Sequence, residues 1–310
     1  MSAFADRLLS SVRRRQTPTL VGLDPRWKNL PDALRPDDPG DPAAVAKAYQ
    51  TFCEGVLDAT ADLAAAVKPQ AAFFEQLGPA GMNALGEVLR YARRVAPDLP
   101  IILDGKRNDI GSTAAAYADG FLGADSPWGA DALTVSPYLG DDSLTPFVET
   151  AQQRGAGLFV LVKTSNPGGG WFQDRLSDGV PMFEHVGRYV ESLAERTAGE
   201  NGYGLTGAVV GATYPQQLEE LRAKMPHTWF LVPGFGAQGG SAADVAGAFD
   251  QQGGGAVINS SRGIIFAYER EPYRERFGQA RWQDAVRAAA EDMREQLWAE
   301  TPASHLRKEG

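Results

Sequence analysis

The segment from Asp104 to Asp109 holds the residue types that acid–base chemistry needs within six positions. It reads Asp-Gly-Lys-Arg-Asn-Asp and follows the apolar run Pro100–Leu103, which predicts a buried strand. Side chains alternate in direction along a strand, so Asp104 and Lys106 point to the same side, whereas Asp109 lies beyond the strand and returns through a turn. A lysine between two carboxylates at a strand end either stabilises the fold or carries out chemistry.

The elements that position this segment follow from an alternation of short apolar runs and longer helical patterns. Eight strands are predicted, at Thr19–Leu23, Leu63–Lys68, Pro100–Asp104, Ala132–Val135, Gly157–Val162, Thr206–Val210, Thr228–Val232 and Gly255–Ile258. Eight helices are predicted after them, at Pro42–Thr60, Pro79–Val95, Ser112–Leu122, Ser143–Arg154, Met182–Thr197, Pro215–Lys224, Ala242–Phe249 and Gln279–Trp298. This order favours a (β/α)8 barrel, with an open doubly wound sheet as the alternative.

The chain length of 310 residues and a 43% hydrophobic composition are compatible with one large domain or two smaller ones. Because no composition break is visible, we expect a single barrel domain over residues 1–310. Residues 1–18 form a helical extension in this prediction, with an amphipathic helix at Phe4–Arg15 that covers the bottom of the barrel. Residues 300–310 are charged and are expected to be frayed. The long loops Asp24–Asp41 and Asn166–Pro181 have the length of lids.

The overall charge and the histidine positions limit the possible partners. A net charge of -9 and a pI near 5.0 argue against nucleic acid as the main partner. No apolar run of about 18 residues occurs, so no membrane segment is expected and a cytoplasmic location follows by default. The three histidines, His185, His227 and His305, lack the spacing of metal ligands, so a metal site is not expected.

In a barrel, the carboxyl ends of the eight strands surround one opening, the mouth, so the residues at these ends are expected to lie close together. Lys68 ends the second strand and Asp24 the first, which gives this mouth two lysines and three aspartates with the Asp104 segment. A purely structural salt-bridge cluster is a poor explanation, because the desolvation of so many charges can exceed their mutual attraction.

A glycine-rich turn after the seventh strand indicates an anion site. Gly234, Gly236 and Gly239 have the spacing of a dinucleotide-binding loop, but the acidic residue that would hold a ribose is missing and the next strand ends near Arg262. Glycines after strand seven and an arginine after strand eight match the phosphate pocket of barrel enzymes. Tight turns beside a surface arginine are the structural alternative.

The chain as a whole resembles the orotidine 5'-phosphate decarboxylase family, in particular its longer bacterial subgroup. The resemblance covers the whole barrel and rests on Asp104-x-Lys106-x-x-Asp109-Ile110 with Thr113, on Lys68, on Asp24, on Gly234-x-Gly-Ala-Gln238-Gly-Gly and on Arg262-Gly263. It implies a homodimeric barrel enzyme that converts orotidine monophosphate to uridine monophosphate and CO2 without a metal or an organic cofactor.

The resemblance also implies residue roles. Lys106 resembles the proton donor to C6 of the pyrimidine, and Asp104 the aspartate beside the departing carboxylate. Asp109 and Thr113 resemble the pair that reaches into the site of the partner subunit. The remaining roles are ribose binding and orientation of the charged network for Lys68 and Asp24, a phosphate grip for Gln238, Arg262 and Gly263, and a pyrimidine contact for Ser165, with Thr164 as the alternative.

Two other functions remain open at this point. A magnesium-dependent sugar-phosphate decarboxylase or aldolase on a related barrel would need an acidic ligand near the end of strand two, where Lys68-Pro-Gln70 stands instead and Glu75 follows later. A non-catalytic nucleotide-binding barrel would keep the pocket without the chemistry.

Overall fold

Eight parallel strands form one sheet in the computed structural model, which describes residues 3–122, 126–236 and 239–307. The strands are β1 Thr19–Leu23, β2 Ala66–Pro69, β3 Ile102–Arg107, β4 Ala132–Val135, β5 Gly157–Lys163, β6 Thr206–Val210, β7 Phe230–Val232 and β8 Ala256–Ser260. Their order in the sheet is β2-β1-β8-β7-β6-β5-β4-β3. Parallel bridges from Val67 to Ile101 and from Gln70 to Asp104 join the two outer strands, so the sheet closes into a barrel and the open-sheet alternative is wrong.

Apart from α1, which precedes β1, the helices lie between and after the strands, as the sequence predicts for a (β/α)8 barrel. The α-helices are α1 Phe4–Arg15, α2 Pro42–Thr60, α3 Ala72–Glu75, α4 Gly78–Val95, α5 Gly111–Phe121, α6 Asp141–Arg154, α7 Gly170–Gln173, α8 Met182–Arg196, α9 Pro215–Lys224, α10 Ala242–Val245, α11 Arg262–Ile265, α12 Tyr273–Phe277 and α13 Trp282–Glu300. Short 3-10 helices occur at Trp27–Asn29, Asp32–Leu34, Pro167–Gly169, Ala246–Ala248, Ala267–Glu269 and Pro302–Leu306. The predicted fold class is confirmed. In the described ranges, no helix is both long and apolar enough to cross a membrane.

Two strands of the barrel carry irregularities near their carboxyl ends. The pairing of β3 with β4 shifts between Leu103 and Arg107, and the pairing of β5 with β6 shifts between Leu161 and Lys163. A bulge places extra residues opposite one residue of the neighbouring strand and re-aims the side chains that follow. Both irregularities therefore affect the residues that these strands present at the mouth.

The N-terminal helix α1 covers the bottom of the barrel, as predicted. Its apolar residues recur at helical spacing, and Phe4 meets the ring of Phe159 edge-on with centroids 6.0 Å apart. The backbone of Gly157 approaches the ring of Phe4 so closely that an added Cβ would lie 2.1 Å from it. Arg7 donates to the carbonyl of Gly155 at 3.1 Å, and Asn201 donates to Asp6 at 2.9 Å.

The C-terminal segment differs from the frayed tail predicted for residues 300–310. Thr301 accepts the backbone N–H of Ala303 at 3.1 Å and starts the 3-10 helix Pro302–Leu306, in which Ala303 and Leu306 are buried. Trp298 donates to the carbonyl of Gln16 at 2.9 Å, and Gln16 donates to the carbonyl of Leu306 at 3.2 Å. Apolar burial and these bonds hold residues 302–306 in place, while residues 308–310 lie outside the described residues.

Candidate active site

A cavity of about 440 Å³ opens at the carboxyl ends of the strands. Its walls combine apolar strand residues with charged and amide side chains. The residues that line it are Asp24, Arg26, Lys68, Gln70, Asp104, Lys106, Thr134, Leu161, Thr164, Ser165, Asn166, Val209, Leu231, Pro233, Gly234, Phe235, Asn259, Ser261 and Arg262. This is the position at which barrel enzymes place their active sites.

The carboxylate of Asp104 is the centre of the charged network in this cavity. Lys68 Nζ donates to its Oδ2 at 2.7 Å, and Gln70 Nε2 donates to the same oxygen at 2.9 Å. Lys106 Nζ donates to Oδ1 at 2.6 Å, and the hydroxyl of Thr134 donates to Oδ1 at 2.9 Å. Four donors, three on β2, β3 and β4 and one on Gln70 directly after β2, therefore fix one carboxylate.

These ion pairs decide the protonation states of the buried groups. Burial alone would raise the pKa of Asp104, but the charges of Lys68 and Lys106 outweigh burial and hold that pKa well below its usual range. Burial would lower the pKa of Lys68, but the carboxylates of Asp104 and Asp24 outweigh it and raise that pKa. At neutral pH the buried carboxylate and the buried ammonium therefore both stay charged.

Lys106 differs from Lys68 in its access to the cavity. The side chain of Lys106 is 47% exposed, whereas that of Lys68 is 5% exposed and that of Asp104 is 8% exposed. An ammonium group that is paired on one side and open on the other can meet a ligand without first breaking its ion pair. Lys106 is therefore the more accessible of the two cations that this network presents to the cavity.

Three further polar atoms on the cavity wall are buried without a hydrogen-bond partner in the described part of the chain. They are Oδ1 of Asp24, Nε of Arg26 and Oδ1 of Asn259. The guanidinium of Arg26 lies over the ring of Phe73, 5.2 Å from its centroid. Buried polar groups without partners are costly, so atoms of this kind beside a cavity indicate ligand contacts.

The structure brings together most of the residues that the sequence selects. Asp24, Lys68, Asp104, Lys106, Ser165 and Arg262 all line the cavity, as does the alternative contact Thr164. Gly263 follows Arg262 in α11 and is not among the described lining residues. Gln238 lies outside the described residues.

Asp109 and Thr113 are also not among the described residues that line the cavity. Asp109 accepts the backbone N–H of Ile110 at 2.8 Å, and Thr113 is exposed on α5. Ile110 between them exposes 58% of its surface. In one chain, therefore, the last acidic residue of the Asp104 segment is not part of the described cavity wall.

Six polar lining residues were not selected as site residues from the sequence: Arg26, Gln70, Thr134, Asn166, Asn259 and Ser261. A signal was available for Arg26 and Gln70, because each lies two positions after a selected residue. Thr134 is a single hydroxyl in an apolar strand, which in sequence alone resembles an ordinary buried threonine. Its contact with Asp104 depends on the pairing of β3 with β4.

The closed barrel with charged residues in its mouth defines this chain as a (β/α)8-barrel protein with the active-site layout of an enzyme. Residues 18–275 match the model of the orotidine 5'-phosphate decarboxylase / HUMPS family. The chain therefore belongs to that family.

Individual relatives agree with this assignment over most of the chain. It is 56% identical over 303 residues to orotidine 5'-phosphate decarboxylase of Rhodopirellula baltica, a match that covers 96% of this chain and 99% of the relative. It is 45% identical over 265 residues to the Deinococcus radiodurans protein of the same name, and this match covers 85% of this chain and 89% of the relative. The structure of Leishmania donovani OMP decarboxylase matches with a TM-score of 0.73 at 34% identity, covering 96% of this chain and 98% of that one.

Proposed function

We propose that this protein decarboxylates orotidine 5'-monophosphate to uridine 5'-monophosphate and CO2, a step of de novo pyrimidine biosynthesis. The observation that carries the proposal is the Lys68–Asp104–Lys106 array on the wall of one cavity, in a chain of this family. The named relatives support the choice of substrate.

Lys106 supplies the chemistry in this proposal. When the bond between C6 and the carboxylate breaks, CO2 leaves and the electron pair stays on C6. A proton from the Lys106 ammonium then forms the new C6–H bond, and the neutral amine regains a proton from water. Before that transfer the ammonium stabilises the developing negative charge, and a charge pair about 4 Å apart is worth roughly 4 kcal/mol at an effective dielectric near 20.

Asp104 keeps this lysine ready for the reaction. Its carboxylate holds Lys106 Nζ at 2.6 Å on one side and Lys68 Nζ at 2.7 Å on the other, which fixes the direction of the proton donor. A negative charge here also opposes the substrate carboxylate before it departs, an effect we treat as secondary.

The remaining lining residues bind the nucleotide in this proposal. Arg262 and the backbone around Gly234 grip the phosphate, together with Gln238 and Gly263, and Asp24 and Lys68 contact the ribose hydroxyls. Ser165 contacts the pyrimidine, a choice supported by the neighbouring hydroxyl of Thr164, which already bonds Asn166 at 2.7 Å and Gln173 at 2.8 Å. Phosphate binding remote from C6 supplies free energy that closes the Asn166–Pro181 loop over the base.

A homodimer with shared sites completes the proposal. Asp109 and Thr113 are absent from the described wall of their own cavity, and the exposed Ile110 between them is the kind of residue an interface buries. Each chain then supplies these two side chains to the cavity of its partner. Mixing inactive Lys106→Ala and Asp109→Ala proteins should restore up to about a quarter of the activity, because random reassortment gives half hybrid dimers, each with one intact site. Mixed dimers that form without any recovery would disprove the sharing.

The magnesium-dependent alternative is less well supported by the residues present. Gln70 occupies the position where an acidic ligand would be needed and donates to Asp104, while Glu75 pairs with Arg107. The described residues contain no group of three or more side chains suited to a metal ion. Loss of turnover in EDTA with recovery on addition of Mg²⁺ would favour that alternative.

The direct test is the fall in absorbance when orotidine 5'-monophosphate is mixed with the purified protein. We expect turnover by the wild type, none measurable by Lys106→Ala, and unchanged turnover by the surface control Lys47→Ala. A wild-type protein that binds the nucleotide without turnover would support the non-catalytic alternative, and turnover by Lys106→Ala equal to wild type would refute the mechanism.

A further inference from the structure

The backbone that carries Lys106 has an unusual conformation. β3 pairs with β4 at Ile102–Ala132 and Leu103–Leu133, and the pairing resumes only at Arg107–Val135. Three residues of β3 therefore lie opposite the single residue Thr134 of β4. Within this bulge Lys106 has φ 44°, a left-handed conformation that residues other than glycine adopt rarely.

The side chain of Thr134 occupies the gap that the bulge leaves in the hydrogen-bond ladder. Its hydroxyl oxygen accepts the backbone N–H of Lys106 at 2.9 Å, a donor that regular pairing would direct to a β4 carbonyl. The same hydroxyl donates its proton to Oδ1 of Asp104 at 2.9 Å. Thr134 is 1% exposed, so no bulk water replaces either bond.

These bonds join Thr134, Asp104 and Lys106 into one closed arrangement. The hydroxyl holds the Lys106 backbone and the Asp104 carboxylate, and Asp104 Oδ1 in turn holds Lys106 Nζ at 2.6 Å. Both ends of the lysine residue, its amide and its ammonium, are thereby tied to one point on β4. A hydroxyl is needed because only a group that both accepts and donates can make these two bonds.

We propose that Thr134 is a positioning residue, whose hydroxyl stabilises the left-handed bulge and so directs the Lys106 ammonium at the reacting carbon. The inference rests on the proposed function and adds a residue to its mechanism. Strained backbone at a functional site persists only where the surroundings hold it, and here the holding group is a single side-chain hydroxyl.

The test compares a variant at position 134 that lacks the hydroxyl with one that keeps it. Thr134→Val keeps the shape of the side chain and removes the hydroxyl, whereas Thr134→Ser keeps the hydroxyl and removes the methyl group. We expect kcat to fall about 10- to 100-fold in the valine variant, the range for a small misplacement of a reacting group. The serine variant should stay within about threefold of wild type, and KM in both should change by less than about threefold.

A second measurement separates positioning from simple packing. The exchange rate of the Lys106 backbone amide, followed by NMR, should rise at least about tenfold in Thr134→Val and stay near wild type in Thr134→Ser, because only the serine retains the acceptor. If the valine variant does not fold, Thr134→Ala and Thr134→Ser form the matched pair, with the same expectations for alanine as for valine.

The outcomes separate this inference from the proposed function. Equal kcat in the hydroxyl-free and hydroxyl-bearing variants, or a loss that appears only in KM, would overturn the positioning role. A wild-type protein without decarboxylase activity would refute the proposed function, and an unchanged Lys106 amide exchange rate in Thr134→Val would then refute the structural part of the inference on its own.

Discussion

Two lysine–carboxylate pairs lie at the ends of β3 and β5, with their exposure reversed. In the β3 pair the carboxylate of Asp104 is 8% exposed and the ammonium-bearing side chain of Lys106 is 47% exposed. In the β5 pair the side chain of Lys163 is fully buried and that of Asp174 is 43% exposed. The same two residue types therefore present a cation to the cavity in one case and a carboxylate to solvent in the other.

The surroundings of Lys163 explain its different role. Its ammonium lies 4.5 Å from the centroid of the Tyr214 ring and 5.3 Å from that of Phe183, in addition to its bond with Asp174. Aromatic faces stabilise a desolvated cation and occupy the space a ligand would need. Because Asp174 follows α7 in the 166–181 loop, the pair ties that loop to β5. Access to the ammonium, more than the pairing itself, therefore distinguishes the lysine that we propose as the proton donor from the buried Lys163.

The largest expected effect is on kcat, when the lysine of the β3 pair loses its charge. The same substitution in the β5 pair is the comparison. Lys106→Met should lower kcat by on the order of 10³-fold or more, because both charge stabilisation and the proton donor are lost. Lys163→Met should lower kcat by less than about tenfold, since this ammonium does not line the cavity. Steady-state kinetics on both variants checks the contrast, and equal losses would show that access does not distinguish the two lysines.

Asp104→Asn should destabilise the fold in a pH-dependent way. The folded pKa of Asp104 is lower than its unfolded value near 3.9, so the carboxylate contributes stability above that pH and loses it as the pH falls from about 5 toward its folded pKa. At pH 7 we expect a loss of about 3 kcal/mol in the free energy of unfolding, because Lys68 remains buried without its anion. Denaturant titrations of both proteins at pH 7, 5 and 3 should give a difference that shrinks toward pH 3; a constant difference would contradict the assignment.

The β5 pair should respond unequally to removal of its two members. Asp174→Asn leaves a fully buried ammonium without its anion and should cost about 2 kcal/mol of stability, whereas Lys163→Met leaves a half-exposed carboxylate that water can solvate and should cost about 1 kcal/mol or less. Guanidinium midpoints at constant m-value measure both. The reverse order would mean that the aromatic rings alone stabilise the buried cation.

The smallest expected effect concerns the second tie between the loop and β5. Gln173 accepts the backbone N–H of Thr164 at 3.0 Å and donates to its hydroxyl at 2.8 Å. Gln173→Ala should raise KM about fivefold and change kcat little, as expected for about 1 kcal/mol of lost hydrogen bonding beside the substrate. Gln217→Ala on α9, outside the cavity wall in the described residues, is the matched control. A fall in kcat with constant KM would place Gln173 in the chemical step instead.

The barrel itself could be predicted from the sequence because its signals are local. Three strands, Thr19–Leu23, Ala132–Val135 and Thr206–Val210, have the predicted bounds. The ends of β3 and β8 were predicted too short, at Asp104 and Ile258 instead of Arg107 and Ser260, because polar residues at a strand end have the composition of a loop. Tertiary pairing extends these strands into the mouth.

The charged core of the site could also be predicted, whereas its supports could not. Asp104 and Lys106 share a strand and Lys68 ends its neighbour, so topology alone brings them together. The contacts of Thr134 and Gln70 with Asp104 depend on the bulge in β3 and on the bridge that closes the barrel. Neither the bulge nor the bridge has a signal in the spacing of apolar residues.

The bonds of helix α1 and Gln16 at the barrel bottom determine when this segment can pack during biosynthesis. Helix α1 makes side-chain bonds to residues 148 and 195 positions later, and Gln16 after it bonds residues 282 and 290 positions later. At about 5 to 20 residues per second, the last of these partners is translated roughly 15 to 60 s after Gln16. Helix α1 can therefore reach its final packing only after residues 155–201 are translated, and Gln16 only after residues 298–306.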